Sequence, residues 1–296
     1  MGGDVRRIRL VVTDVDGTLL DPGGCLTPRT REAIQALAEA GVTLALATGR
    51  RWTGASVAAS SFDFRGPMIH MDGAMIRIYP EGEMLYIAPL DRVIAQRAAE
   101  AMAAYGIQPI AQYSDHTNDF LHVSQEAAHP EWTAAYLPAF QHQTRYRPVA
   151  QLCDIAVDPI RLAAFAPLSI LRRVAVDLAS PDCGRQLLLL GNYGVAELTL
   201  FSSAVSKGNA LAILARHLDI PLEDTMAVGD GPNDVSMLRM AGLGVAMGQA
   251  SRRVRALADA VTTSNAEDGL ARAIEQYALG WEPRTQFFVL SDSFSK

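Results

Sequence analysis

Two apolar runs that each empty into a polar tip constrain this chain more than any other feature. The first is Leu10-Val11-Val12-Thr13, followed by Asp14-Val15-Asp16-Gly17-Thr18; the second is residues 42–47, followed by Thr48-Gly49-Arg50. Short aliphatic runs without alternation read as strands buried on both faces. Between them, Thr27-Pro28 is a helix start, with Thr27 as N-cap and Pro28 at the first helical position. Residues 30–40 carry Ile34 and Leu37 on one face, and Gly41 stops the helix. Strand, helix and strand with short connections form a βαβ unit, whose strands lie parallel. A third strand is expected at residues 67–70, before Asp72-Gly73. The same grammar returns later: a helix over 207–218, a strand over 225–228 ending at Gly229-Asp230, a helix over 235–240, a strand over 243–247 and the start of another at Asp259-Ala260-Val261. The fold class is therefore α/β with a parallel sheet, and in such sheets ligands collect at the carboxyl ends of the strands.

The middle of the chain, residues 83–190, has a different texture. Strand-like stretches (84–87, 160–165, 185–190) mix with helical ones (93–105, 167–179) and with His116, His122, His129 and His142. This segment reads as a second, α+β domain inserted into the first, so that residues 1–82 and 191–296 make the core and the sheet resumes after Gly194. The length of 296 residues suits two domains. The aromatic, Ser-rich stretch 281–296 belongs to no expected element.

Composition narrows the partners. Lys plus Arg is 26 against 32 Asp plus Glu, a net charge of −6, which gives no global pull toward nucleic acid or anionic lipid. A phosphorylated ligand would have to be held by a few local cations or a metal. No apolar run approaches the ~18 residues of a membrane span, and the apolar stretch after Arg6, Arg7 and Arg9 is too short for a signal peptide. Three cysteines, Cys25, Cys153 and Cys183, are odd in number and lack metal-ligand spacing, so they read as reduced thiols and as small core residues. The expectation is a soluble, cytoplasmic protein with no nucleic-acid or membrane partner; its oligomeric state is open.

Asp14 and Asp16, two residues apart at a strand end, can turn toward one site because Gly17 permits the bend. Buried like charges of this kind repel unless a cation sits between them. About 200 residues later, Gly229-Asp230-Gly231-Pro232-Asn233-Asp234 offers two more carboxylates and an amide at another strand end. Hard oxygen ligands from short loops describe a Mg²⁺ site rather than a Zn²⁺ site. Thr48-Gly49 adds a hydroxyl beside a backbone N–H, and Ser206-Lys207-Gly208 adds a cation at a helix start. Donors, a positive charge, a metal and a nucleophile are the parts that hold and transfer a phosphoryl group.

With these motifs in order, the chain resembles the haloacid dehalogenase superfamily, and within it the Cof-type phosphatases that carry a large α/β (type IIB) cap after the third core strand. The matching residues are Asp14-Val15-Asp16-Gly17-Thr18, Thr48-Gly49-Arg50, Lys207 within Val205-Ser206-Lys207-Gly208, and Gly229-Asp230-Gly231-Pro232-Asn233-Asp234; the run from Ala241 to Gly248 is also similar. The resemblance implies a Rossmann-like parallel core with helices on both faces, covered by the inserted domain as a cap. It also implies roles. Asp14 would be the nucleophile that forms an aspartyl phosphate, and Asp16 the acid and then the base. Mg²⁺ would be held by the Asp14 carboxylate, the backbone carbonyl of Asp16 and Asp230, supported by Asp234 and a backbone contact at Gly231. Thr48, the backbone N–H groups of Val15 and Gly49, Lys207 and Asn233 would grip the phosphoryl oxygens.

The implied activity is Mg²⁺-dependent hydrolysis of a small phosphorylated metabolite, a sugar phosphate or similar phosphomonoester. The alternatives are a sugar phosphomutase of the same superfamily and a non-catalytic phospholigand-binding protein. The presence of Asp16 argues against dehalogenation and weakens the binding-only alternative. Arg50 and Arg51 read as surface or structural residues, and the histidines of the middle segment as surface or partly packed side chains. Asp115, His116, Asn118 and Arg161 are candidates for the inner face of the cap. One departure stands out: Asp72-Gly73-Ala74 occupies the place where the family usually has Asn-Gly-Ala, which puts an extra negative charge near the site.

Overall fold

Side-chain alternation along the first strand explains the layering. In the computed structural model, which describes residues 7–114, 119–190 and 195–280, β1 (Leu10–Asp14) sends Val11 into one apolar layer and Leu10 and Val12 into another. The first layer holds Ala33 and Leu37 of α1 (Pro28–Glu39) and Ala55, Ala58 and Ala59 of α2 (Trp52–Ser60). Helix α1 begins as its sequence dictates: the Thr27 hydroxyl accepts from the Thr30 N–H at 3.2 Å with Pro28 first in the helix.

Strands β2 (Thr43–Ala47) and β3 (Gly66–His70) lie parallel to β1, and β4 (Met75–Tyr79) and β5 (Met84–Ile87) extend the sheet antiparallel. After it come α3 (Arg92–Ala104), β6 (Ile110–Ser114), β7 (Asp119–Ser124), β8 (Thr144–Arg147), β9 (Arg161–Ala166), α4 (Leu168–Asp177), β10 (Cys183–Leu190) and β11 (Val195–Ser202). These six strands form a second sheet in the order β10-β11-β9-β6-β7-β8, antiparallel except for the β7–β8 pair. The chain then returns to the first sheet through α5 (Lys207–His217), β12 (Thr225–Gly229), α6 (Val235–Met240), β13 (Leu243–Ala246) and β14 (Ala260–Val261). The first sheet has eight strands, in the order β14-β13-β12-β1-β2-β3-β4-β5. Helices α5 and α6 cover the face opposite α1 and α2, so both faces of the parallel part are buried.

Strand pairing corrects the expected division at both ends. Residues 84–87 were expected to open the inserted segment, but they form β5 and pair with β4 on the edge of the first sheet. The first sheet was expected to resume after Gly194, but residues 195–202 form β11, which pairs with β10 along eight positions and with β9 on its other side. The physical reason is the same in both places: an antiparallel partner next in sequence costs little loop closure. The expected linker at 191–194 and the stretch 281–296 lie outside the described residues, as do Asp115, His116 and Asn118.

Helices α3 and α4 cover only one face of the second sheet, through Ala95, Ala98, Leu171 and Val174. The other face packs Ile110, Leu121, Ala163 and Phe165 against Tyr136, Leu137 and Phe140, and its polar end meets the first sheet. There the fully buried Arg77 of β4 donates from Nη2 to the Ser114 hydroxyl at 2.6 Å, and Ser114 donates to Asp119 at 2.8 Å. Arg161 lies on the same face as Gln112 and donates from Nε to Gln112 Oε1 at 2.7 Å. Of the middle histidines, His122 departs from the expectation. It is fully buried, with Nδ1 3.2 Å from the Leu152 carbonyl. Cys153 and Cys183 are buried as expected, whereas Cys25 is exposed.

His70 ends β3 fully buried, with both ring nitrogens unpaired among the described residues and its ring 5.6 Å from that of Trp52. Burial, with the positive charges of Arg77 and Arg161 adding to it, pushes its pKa down from 6.5 to about 3. The unfolded chain therefore takes up a proton that the folded chain refuses. The contribution is fully present above pH 6.5 and is lost as pH falls toward 3. One proton is worth about 1.4 kcal/mol per pH unit, so wild type should lose about 2 kcal/mol more than His70→Leu between pH 6.5 and 5. Urea unfolding at the two pH values measures this; equal losses in the two proteins would locate the proton uptake elsewhere.

Candidate active site

Four separate strand ends and helix starts deliver the charged groups to one place. Asp14 is the last residue of β1, Thr48 and Gly49 follow β2, Lys207 opens α5, and residues 230–234 follow β12. Strand β1 lies between β2 and β12 in the sheet, so their carboxyl ends are neighbours. Lys207 is 1% exposed, and its Nζ lies 2.6 Å from Asp14 Oδ1 and 2.6 Å from Asp234 Oδ1. Asp234 is itself held by its other oxygen, which accepts from the N–H of Asp230 at 3.0 Å and of Gly231 at 2.8 Å. Carboxylate oxygens of Asp14, Asp230 and Asp234 lie within 4.8 Å of one another. Gly17 makes this approach possible: its φ is +83°, and a Cβ there would stand 2.6 Å from Asp230 Oδ2.

Three carboxylates share one ammonium. Burial raises the pKa of Asp14 to about 7; the charges of Asp234 and Asp230 push it the same way, and Lys207 opposes them. Burial also raises that of Asp230, with Asp234 adding to it. For Lys207, burial works against the charge, but Asp14 and Asp234 outweigh it and hold the ammonium above its ordinary range. The cluster carries two more negative than positive charges when all of its groups are ionised. Oxygen donors with that deficit fit a hard divalent cation.

Asp16 does not join the cluster with its side chain. Its carboxylate is 57% exposed and receives Arg50 Nε at 2.8 Å and Arg50 Nη2 at 2.5 Å. Arg50, read as a surface or structural residue, is partly exposed and pairs with Asp16. Arg51 is buried as a structural residue would be: it donates to Gln143 Oε1 at 3.3 Å and lies over the Phe140 ring at 3.8 Å. Thr48 is buried, and its hydroxyl accepts from the Arg50 N–H at 3.1 Å. Gly231 enters the site through Asp234, to which it both donates and, at 3.1 Å, accepts. Asn233 donates from Nδ2 to Asp72 Oδ1 at 2.9 Å. Val15 lies buried directly after Asp14. Gln249, which no motif marked, donates to the Gly17 carbonyl at 2.5 Å and to Asp230 Oδ2 at 3.4 Å.

A parallel α/β sheet with this carboxylate–lysine cluster at its strand ends carries the parts that hold and transfer a phosphoryl group. Residues 11–274 match the haloacid dehalogenase-like hydrolase family, and the chain belongs to that family. Among curated proteins it is 28% identical to Phosphatase YwpJ of Bacillus subtilis, over 90% of this chain and 99% of that one. It is also 28% identical to Pyridoxal phosphate phosphatase YbhA of Escherichia coli, over 92% and 99% respectively. Among solved structures, a haloacid dehalogenase-like hydrolase from Bacteroides thetaiotaomicron superposes with a TM-score of 0.72 at 26% identity, covering 91% of this chain and 99% of that one. A subclass IIB sugar phosphatase of the same superfamily superposes with a TM-score of 0.72 at 25% identity, covering 92% and 99%. Among the described residues, no helix is long and apolar enough to cross a membrane.

Proposed function

We propose that this phosphatase hydrolyses a small phosphorylated metabolite, a sugar phosphate or similar phosphomonoester, through an aspartyl phosphate on Asp14, with Mg²⁺ as cofactor and in the cytoplasm. The observation that carries the reading is the meeting of Asp14, Asp230 and Asp234, from neighbouring strand ends, with Lys207 from the start of α5. Asp14, Asp230 and the backbone carbonyl of Asp16 would hold the Mg²⁺, with Asp234 and Gly231 behind them. Bound there, the ion would offset the charge of the phosphoryl oxygens and of the attacking carboxylate.

The chain's own groups account for the steps. A carboxylate oxygen of Asp14 attacks phosphorus as the ester P–O bond breaks, and Asp16 gives its proton to the departing oxygen. Asp16 then takes a proton from water, whose oxygen attacks the same phosphorus and releases Asp14 and orthophosphate. Lys207, Thr48, Asn233 and the N–H groups of Val15 and Gly49 hold the phosphoryl oxygens. The Arg50–Asp16 pair is largely exposed, and such pairs are worth about 0–1 kcal/mol. Asp16 can therefore leave Arg50 at little cost when a substrate arrives. The second sheet, whose unit meets the first through Arg77 and Ser114 and through Arg51 and Gln143, would act as the cap that excludes water and selects the leaving group.

Phosphate release from a panel of phosphomonoesters, with identification of the second product, tests the reading. EDTA should stop release and Mg²⁺ restore it. Turnover indifferent to chelation would remove the metal from the proposal, and a product that keeps its phosphate would replace hydrolysis with transfer.

A further inference from the structure

The turn after β3 is the most strained piece of backbone near the site, and it sets a carboxylate there. Met71 and Asp72 both have left-handed φ values, +52° and +59°, and Gly73 follows at +102°. Two successive side-chain-bearing residues in that region persist only where their surroundings hold them. Here the Met71 N–H donates to the Arg50 carbonyl at 3.0 Å and the Asp72 N–H to the Thr48 carbonyl at 3.1 Å. On its other side the turn abuts the start of α5: a Cβ on Gly73 would lie 2.2 Å from the Ser206 carbonyl. The turn is wedged between the loop of Thr48-Gly49 and the helix start of Lys207.

The strain brings the Asp72 carboxylate against two groups assigned to the phosphoryl oxygens. Asp72 Oδ1 accepts from Asn233 Nδ2 at 2.9 Å, and a Cβ built on Gly49 would meet the same oxygen at 3.0 Å. Asn233 Oδ1 lies on the opposite side, near Gly231, where a Cβ would stand 2.5 Å from it. A carboxylate accepts and never donates, so Asp72 fixes which way the Asn233 amide faces. The Asn233 bond engages one of its two oxygens.

We infer that Asp72 is a specificity-determining residue: it favours phosphomonoesters that carry a hydrogen-bond donor, a hydroxyl or an ammonium, close to the ester, and rejects those that carry a second anion there. The inference rests on the phosphatase reading and deepens it. An anion fixed beside the phosphoryl pocket repels a second phosphate or carboxylate and rewards a donor. Selection then works by exclusion as well as attraction.

The test uses a matched pair, glycerol 3-phosphate and 3-phosphoglycerate, in which a hydroxymethyl group is replaced by a carboxylate. Both are measured as competitive inhibitors of p-nitrophenyl phosphate hydrolysis in Mg²⁺ buffer, so that slow turnover of either does not matter. Wild type should bind glycerol 3-phosphate more tightly, and Asp72→Asn should narrow the ratio of inhibition constants by about tenfold or more. The Asn side chain keeps the shape and can still accept from Asn233, so only the charge is removed. Asp72→Ala should narrow the ratio as well and lower kcat, because Asn233 loses its acceptor. A ratio that stays as in wild type in the Asn variant, a wild type that prefers 3-phosphoglycerate, or failure of both compounds to compete at millimolar concentration would overturn the inference. A purely structural role would weaken both inhibitors alike and leave the ratio unmoved. If wild type releases no phosphate from p-nitrophenyl phosphate or from any ester of the panel, it is the phosphatase reading that fails, and this inference falls with it.

Discussion

Asp14→Asn should abolish turnover, by about 10⁴-fold or more in kcat, in a protein that remains folded. The amide oxygen of Asn is a poor nucleophile toward phosphorus and carries no charge for a cation to hold, so both assigned functions of Asp14 disappear together. The fold should tolerate the change. Lys207 keeps Asp234 at 2.6 Å, and the new amide can still accept from the ammonium through its oxygen. The charge removed is one that burial already opposes, since the pKa of Asp14 is raised to about 7. The midpoint of thermal unfolding without metal should therefore not fall. Steady-state phosphate release gives the rate, and acid quenching with ³²P-labelled substrate gives the chemistry: wild type should trap a covalent, alkali-labile label and the variant none. Near-normal hydrolysis by Asp14→Asn would mean that another group attacks phosphorus.

What the sequence made legible divides along a physical line. Strands β1, β2, β12 and β13 were readable because a strand buried on both faces must be apolar throughout, and its polar tip marks where it ends. The carboxylates, Thr48 and Asn233 of the candidate site were readable for the same reason, since they sit on those tips, whereas Lys207 was readable only as a cation at a helix start. The second sheet was harder. Ile110–Ser114 and Asp119–Ser124 carry Gln112, Ser114, Asp119 and His122, polar groups paired with other side chains or with a backbone carbonyl rather than with water, so their apolar signal is diluted. The sheet that Val195–Ser202 joins was not readable, because membership is decided by pairing with β9 and β10 and local pattern carries no partner label. The pairing of Arg50 was hidden for a third reason. A single arginine after Thr48-Gly49 has no spacing rule, and only the two-pronged match of its guanidinium to Asp16 reveals it. Asp72 was visible as a departure in charge, but its grip on Asn233 depends on a left-handed turn that sequence pattern does not specify.

The largest effect on stability should come from Lys207→Met, which keeps the volume of the side chain and removes its charge. In the metal-free protein, Asp14, Asp230 and Asp234 would then face one another within 4.8 Å with no cation among them, Asp14 and Asp234 both buried. Removing one partner of a buried ion pair costs about 3–5 kcal/mol, because the charge left behind has lost both water and its counter-ion. Activity should fall by about 10²-fold or more, as a donor on the phosphoryl oxygens is gone. The two losses can be separated by the metal. If a divalent cation binds this cluster, the variant has one more uncompensated negative charge than wild type, so Mg²⁺ should recover more unfolding free energy in the variant than in wild type, while the rate stays low. Urea unfolding in EDTA and in saturating Mg²⁺, on both proteins, reads all four quantities. Equal stability of the two proteins in EDTA would mean that Lys207 does not neutralise the carboxylates. Equal gains from Mg²⁺ would mean that the cation binds away from the carboxylates that Lys207 serves.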